Sequence, residues 1–209
     1  MILEIALITI VILVFSAILH EVAHGWVADR LGDPTARLLG RLTLNPVPHI
    51  DPLMSILLPL ILILSGSPII FGAAKPVPVD PFNLRDGRRD MALVSLAGPI
   101  TNFLIAAVFA LILKFAGPFI DQPLLLAVMF LVVKLNLLLG IFNLLPIPPL
   151  DGSKVFSLLL PEDTARSYLS IGAYGMFILF FLLLFPIGGF SLGSLIGSLL
   201  DFSLRLLGL

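Results

Sequence analysis

Long apolar stretches separated by short polar segments dominate the chain. Apart from Glu4, residues 3–30 are apolar along most of their length and become polar in the last third, and Gly32 and Pro34 are suited to end a helix. About 20 apolar residues are enough for a helix to cross the hydrocarbon core of a bilayer. The stretch therefore predicts a first spanning helix rather than a signal peptide, since no Lys or Arg precedes Arg30.

Further apolar stretches follow. In chain order they are residues 91–113, 123–145, 168–185 and 190–207, the last being weakened by glycine and serine. Each is interpreted as a crossing, so the expected fold class is a polytopic α-helical membrane protein with about five spanning helices. Lys134 and Asn136 fall inside one span, where we expect both to form inward-facing hydrogen bonds.

Residues 53–74 form a different kind of apolar segment. A helix of about 14 residues starting at residue 53 rises about 21 Å, which is short of a full crossing. Residues 67–74 extended would cover about 26 Å on the way back. The segment is therefore predicted to be re-entrant, entering as a helix and returning as a strand. Residues 36–44, ARLLGRLTL, also have local strand character.

The composition agrees with a membrane protein. Apolar residues make up 59% of the 209 residues and charged residues 12%, against averages of about 45–50% and 25%. Mean hydropathy is +1.15. These values exclude an ordinary soluble enzyme and a disordered chain, and the net charge of −1 gives no basic footprint for nucleic acid. No cysteine is present, so a metal must be held by histidines and carboxylates.

Positive charges predict the orientation. If residues 53–74 are re-entrant, every Lys and Arg except Lys114 and Lys134 falls on one side of the membrane. By the positive-inside rule that side is the cytoplasm. The first helix then starts outside, and its polar end reaches the cytoplasmic side.

The strongest chemical signal is HEVAH at residues 20–24. His20 and His24 are four residues apart and share one helix face, so both imidazoles can reach one zinc ion. Glu21 lies one position round, where it can act as general base on a zinc-bound water. Two surface histidines beside a glutamate are the alternative. Three ionisable side chains inside a span favour the metal site.

A catalytic zinc site needs a third protein ligand. Asp151 in PPLDG is the leading candidate, because the predicted topology brings it to the same membrane side and depth as His24. A turn with a helix N-cap is the alternative for this aspartate. His49 and Asp51 in PHIDP are the rival pair, with a loop tie or cap as their structural alternative.

HEVAH, SLAGPITN and FNLLPIPPLDG, in this order, resemble the site-2 protease family of intramembrane zinc metalloproteases over roughly residues 10–160. The resemblance implies that zinc is held by His20, His24 and Asp151, and that Glu21 activates water. It also implies substrate contacts by Asn143 and Asn102. The GRLTL and FGAAKPVPV stretches, the second at residues 71–79, resemble membrane-edge strands that present an extended substrate. The chain is similar to the short form that lacks PDZ and CBS domains.

The expected function is zinc-dependent hydrolysis of peptide bonds within or near transmembrane segments of membrane-protein substrates. The alternative is a non-proteolytic membrane metal-binding protein or ion transporter that uses the same ligands, and the presence of Glu21 favours the hydrolase. We expect a catalytic membrane core at residues 1–160 and a C-terminal transmembrane hairpin at residues 161–209. The expected location is the cell membrane, with the active site near its cytoplasmic side.

Overall fold

The computed structural model describes residues 2–65, 75–186, 188–189 and 191–209. The chain divides into two compact units, residues Met1–Arg85 and Asp86–Leu209. The first unit contains the helices α1 (Ile2–Leu31), α2 (Thr35–Leu38) and α3 (Leu58–Leu64), with a π-helix at Pro52–Leu57 directly before α3. The second contains α4 (Gly87–Phe115), α5 (Pro123–Asn143), α6 (Asp151–Ser157), α7 (Glu162–Ser170), α8 (Gly172–Leu184) and α9 (Leu192–Leu207).

Among the residues that the structure describes, three helices are long and apolar enough to cross a membrane, namely Leu3–Leu31 of α1, all of α4 and all of α5. The bent pair α7 and α8, which changes direction by 63°, makes a fourth span if it is counted as one. The prediction of five spans is therefore not supported. With 13 and 16 residues, α8 and α9 rise only about 20 Å and 24 Å, short of the roughly 30 Å core.

The β-strand predicted at residues 36–44 is wrong. Its first residues belong to α2, and Gly40 then turns the chain with a φ of +65°. The residues that follow bend and form no ladder. A positive φ at Gly40 reverses the backbone direction, which an extended strand does not allow.

The described part of the second predicted strand, residues 75–79, is also not a strand. Pro76 and Pro78 have no N–H group to donate to a ladder. The Lys75 N–H donates to the His49 carbonyl instead, at 2.9 Å. Residues 66–74, which contain the predicted returning strand of the re-entrant segment, lie outside the described residues, so re-entry stays a prediction.

The end of α1 agrees with the sequence analysis. Gly32, with a φ of +117°, follows the last helical residue, and Pro34 lies two residues on. Asp33 between them is fully buried and accepts hydrogen bonds from the backbone N–H of Asp80, at 2.7 Å, and from Asn83 Nδ2, at 3.0 Å. Burial acts to raise the pKa of Asp33, but these bonds and those from Thr35 outweigh it and hold the pKa below its ordinary value. The carboxylate thus ties residues 80–83 to the end of α1.

The core of the second unit lies between its long helices. Its buried apolar side chains come from α4, α5, α8, α9 and the segment after α5; they include Ala106, Val133, Leu137, Leu179 and Ile196. Asn102 of α4 and Asn136 of α5 are fully buried, and Asn102 Nδ2 donates to Asn136 Oδ1 at 2.9 Å. An amide pair in an apolar interior satisfies groups that hydrocarbon would leave unpaired.

The prediction that Lys134 faces inward is wrong. Asn136 is buried as expected, whereas Lys134 is exposed. Two positions along a helix correspond to about 200° of rotation, so these residues lie on nearly opposite faces. The two side chains therefore cannot both face inward, and Asn136 is the one that is buried where α4 packs against α5.

We expect the Asn102–Asn136 bond to contribute a coupling free energy of about 0.6–1.7 kcal/mol, the range of polar pairs between membrane helices. A double-mutant cycle with Asn102→Ala and Asn136→Ala, followed by unfolding in detergent, measures it. Thr101→Ala is the matched control for α4, because Thr101 Oγ1 bonds to the Ala97 carbonyl of its own helix, at 2.9 Å. In the control cycle, Thr101→Ala is combined with Asn136→Ala. A coupling free energy equal to that of the Asn102–Asn136 cycle would contradict the prediction.

Candidate metal centre and active site

The HEVAH residues lie on the polar third of α1, as the sequence predicts. Both histidine side chains are buried, and the Nε2 atoms of His20 and His24 are 2.9 Å apart. The two rings meet nearly at right angles, with an interplanar angle of 86°. Residues four apart project from one helix face, so this convergence follows from the spacing.

The donor set fits a zinc ion. One potential ligand atom from each of His20, Glu21 and His24 lies within 4.8 Å of the others, and this is the cluster of metal-binding type found among the described residues. Two Zn–N bonds of about 2.05 Å at a tetrahedral angle place their nitrogens about 3.3 Å apart. The observed 2.9 Å is close to that separation, so a small ring movement suffices. Imidazole nitrogens are ligands that zinc prefers.

Glu21 is held by a distant part of the chain. Its Oε2 atom accepts a hydrogen bond from the backbone N–H of Val77 at 2.8 Å. Sequence reasoning missed Val77, although KPVPV carries a signal: the alternating prolines leave only Lys75 and Val77 with N–H groups in residues 75–78. The carboxylate that the sequence assigns as base is therefore oriented by backbone.

The neighbouring loop supports residues 75–79. Arg41 Nη2 donates to the carbonyls of Lys75, at 2.9 Å, and Pro76, at 3.2 Å. The His49 carbonyl accepts from the Lys75 N–H, and His49 Nε2 lies 2.9 Å from the Thr43 carbonyl. These contacts fix the segment that carries Val77.

The rival pair from PHIDP forms structural contacts. His49 is 1% exposed and lies between the Thr43 and Lys75 backbones. Asp51 Oδ1 accepts from the Leu53 N–H at 2.9 Å, and the Asp51 N–H donates to Ser55 Oγ, the arrangement of a helix N-terminal cap. These contacts match the loop tie and the cap that sequence reasoning offered for the two residues.

We expect the loop that contains His49 to lose stability in acid. Burial lowers the pKa of His49 below its ordinary value of 6.5, and the charge of Arg41 acts in the same direction against the Thr43 carbonyl and Glu21. As the pH falls below 6.5, the unfolded chain takes up a proton before the folded chain does, so stability falls. We expect the melting temperature to drop more between pH 7.5 and 5.5 in the native protein than in His49→Gln. Equal drops would contradict the prediction.

Asp151 begins α6 in the second unit, whereas His20 and His24 lie in the first. Its Oδ1 atom lies 3.8 Å from Lys154 Nζ. A Cβ on Gly152 would be 2.1 Å from the Leu144 carbonyl oxygen, so glycine is needed for the start of α6 to approach the end of α5. The ligand role of Asp151 stays a prediction.

The other end of α6 is capped by a side chain. Arg88 donates to the carbonyls of Ser157 and, at 3.0 Å, of Leu160. A cation beside the last carbonyls of a helix complements its dipole. The helix that begins at Asp151 is therefore held at both ends.

The two predicted substrate-binding asparagines have different surroundings. Asn102 is fully buried and donates to Asn136 within the helix interface. Asn143 is half-buried at the last residue of α5, and its Nδ2 donates to the Leu139 carbonyl of its own helix at 3.0 Å. Substrate contact by either stays a prediction, and Asn143 is the more accessible of the two.

Comparison with known proteins shows that this chain is similar to metalloproteases. The model of peptidase family M50 matches residues 117–186, a range that contains Asn143 and Asp151. The "Putative zinc metalloprotease YwhC" of Bacillus subtilis is 34% identical over 208 residues, covering 94% of this chain and 89% of the relative. The "Putative zinc metalloprotease Rip2" of Mycobacterium tuberculosis is 34% identical, covering 82% of this chain and 64% of the relative. No solved structure matches this chain.

Proposed function

The chain belongs to peptidase family M50, the site-2 proteases, and from this premise we propose that it hydrolyses peptide bonds within or near transmembrane segments of other membrane proteins. It is a zinc metalloprotease and an integral membrane protein. The observation that carries the proposal is the position of its polar cluster. His20, Glu21 and His24 lie together on a helix long and apolar enough to cross a bilayer.

A site at this position suits a membrane substrate. Only 12% of the chain's residues are charged and 59% are apolar, so a soluble substrate has little polar surface to bind. A transmembrane helix bonds its own peptide groups, and a local unwound stretch must form before hydrolysis. We place the active site near the cytoplasmic side of the cell membrane, since the polar end of α1 is the end followed by arginines.

The chain's residues divide the chemistry between them. His20 and His24 hold zinc, and Asp151 completes the ligand set. Bound zinc would supply a Lewis acid that lets a water lose a proton near neutral pH and so become a nucleophile for a peptide carbonyl. Glu21 takes the proton from that water and afterwards delivers it to the leaving amine.

Asn143 is the group best suited to the substrate backbone. It lies at the end of α5, near the loop that leads to Asp151, and its side chain is half-buried rather than enclosed. Its Nδ2 group has a second hydrogen besides the one given to Leu139. We assign that hydrogen to a substrate carbonyl, whose oxygen gains negative charge as water attacks. Asn102 would have to leave Asn136 to do the same.

A cleavage assay in proteoliposomes tests the proposal. The purified protein is incubated with single-span helices that contain a helix-breaking Asn-Pro pair, with matched helices that lack it, and with a water-soluble unfolded peptide. We expect cleavage of the first set, little of the second, loss of activity with a zinc chelator and recovery with zinc. Cleavage of the soluble peptide alone would contradict the proposed substrate class.

A further inference from the structure

We propose that the backbone N–H of Val77 is a positioning group for catalysis, which holds the Glu21 carboxylate in the orientation needed to take a proton. The inference rests on the proposed role of Glu21 as base. It adds a residue that lies 56 positions away in the sequence and whose contact with Glu21 no motif predicts. Oε2 of Glu21 is the atom held, and Oε1 is left to receive the proton.

The hydrogen bond has the properties of a positioning contact. The Val77 N to Glu21 Oε2 distance is 2.8 Å, short for an amide donor and within the range of bonds to an ionised acceptor. Val77 is 6% exposed, so water competes little for its N–H group. A glutamate side chain otherwise has three free torsions and a large rotamer entropy.

The donor itself is rigidly held. Arg41 binds the carbonyls of the two residues before Val77, and the His49 carbonyl binds the Lys75 N–H. Pro76 and Pro78 restrict the backbone on both sides of Val77, because the proline ring fixes φ and the residue before a proline is confined to extended conformations. The two prolines also remove the neighbouring N–H groups. Val77 is thereby left as the donor that reaches Glu21.

Gly25 on α1 leaves room for the segment that contains Val77. A Cβ on Gly25 would lie 2.8 Å from Val77 Cγ1, 2.7 Å from Leu42 Cδ2 and 3.0 Å from Ala36 Cβ. Real Cβ atoms essentially never approach below 3.0 Å, so any larger residue at position 25 displaces Val77 or Leu42. Gly25 directly follows His24, and its small size leaves room for the Val77 side chain against the part of α1 that carries Glu21.

Two substitutions at one position separate the N–H group from the side chain. Val77→Ala keeps the donor, whereas Val77→Pro removes it in a segment already rich in proline. We expect Val77→Ala, which loses side-chain packing but keeps the donor, to lower kcat far less than Val77→Pro does. For Val77→Pro we expect kcat to fall about 10- to 100-fold, the scale of a misoriented catalytic group, with KM within about twofold and zinc content unchanged. Similar kcat values for the two variants would overturn the proposal.

A backbone substitution covers the case in which Val77→Pro does not fold. The α-hydroxy analogue of valine, introduced at position 77 by nonsense suppression, replaces the N–H by an ester oxygen and keeps the side chain. We expect it to lower kcat as Val77→Pro does and to retain zinc. A kcat equal to that of the native protein would overturn the proposal.

A spectroscopic readout is independent of turnover. The infrared carboxylate band of Glu21 is obtained from native protein minus Glu21→Gln, and again for the ester variant minus its own Glu21→Gln form. We expect the band to shift when the Val77 donor is lost, in metal-free as well as zinc-loaded protein. An unshifted band would overturn the proposal. If Glu21→Gln instead keeps full activity, the proposed function of Glu21 fails, and the band shift still reports whether the contact exists.

Discussion

Replacing Glu21 by glutamine is expected to lower kcat for peptide cleavage by about 10³-fold, within the 10²- to 10⁴-fold range of general acid–base catalysis, while bound zinc stays near its native level. Glutamine has nearly the shape of glutamate and its side-chain oxygen can still accept the Val77 N–H, but it cannot take a proton from water. Single-turnover cleavage and metal analysis of the same preparations measure the two quantities.

The zinc content of Glu21→Gln separates a role as general base from a role as zinc ligand. A variant that lost both zinc and activity would place Glu21 among the ligands rather than as the base. A variant that kept both would remove the base from the mechanism. His24→Ala is the matched control on the same helix, and it is expected to lose zinc together with activity because it removes an imidazole.

Replacing Asp151 by asparagine is expected to weaken zinc binding by at least about 100-fold and to reduce cleavage at limiting zinc by a similar factor. An amide oxygen is neutral and is a weaker zinc ligand than a carboxylate. Loss of a group that only hydrogen-bonds to a ligand already lowers metal affinity by about 10–100-fold. Competition with a chromogenic chelator measures the affinity, and cleavage at saturating zinc separates binding from chemistry.

Asp51→Asn is the matched control for Asp151→Asn. Asp51 caps the helix that starts at Pro52, and asparagine is as good a cap as aspartate, so we expect zinc affinity to change by less than about threefold. If Asp51→Asn loses zinc and Asp151→Asn keeps it, the third ligand belongs to the PHIDP loop. That outcome would contradict the assignment that the family resemblance implies.

The first helix and the convergence of His20 and His24 on one of its faces were predictable, because their signals are local. A long apolar run, a glycine after it and an i, i+4 histidine pair can each be interpreted from helix geometry and the cost of burying polar groups in a bilayer. The zinc metalloprotease family was predictable for a related reason: three short motifs occur in one order along the chain.

The errors arise where tertiary packing decides. The prolines in residues 75–79 argue against a strand. The hydrogen-bond partners of Lys75 and Val77 could not be predicted, because they come from the loop at His49 and from α1. Likewise, an apolar run at residues 168–185 does not reveal the break between α7 and α8. A Cβ on Gly175 would be 1.8 Å from the Pro148 carbonyl oxygen, so the start of α8 packs on backbone that lies far off in sequence.

The buried amide pair between α4 and α5 bears on how the protein is made. A nascent α4 that enters the bilayer alone presents Asn102 without its partner until α5 follows, after a connection of only residues 116–122. The hydrogen bond favours insertion of the two helices as one hairpin, since each amide then enters the lipid with its hydrogen-bond partner in place. Ribosome stalling just before Asn136 emerges should therefore leave α4 at the translocon, whereas stalling shortly after should release both helices into lipid.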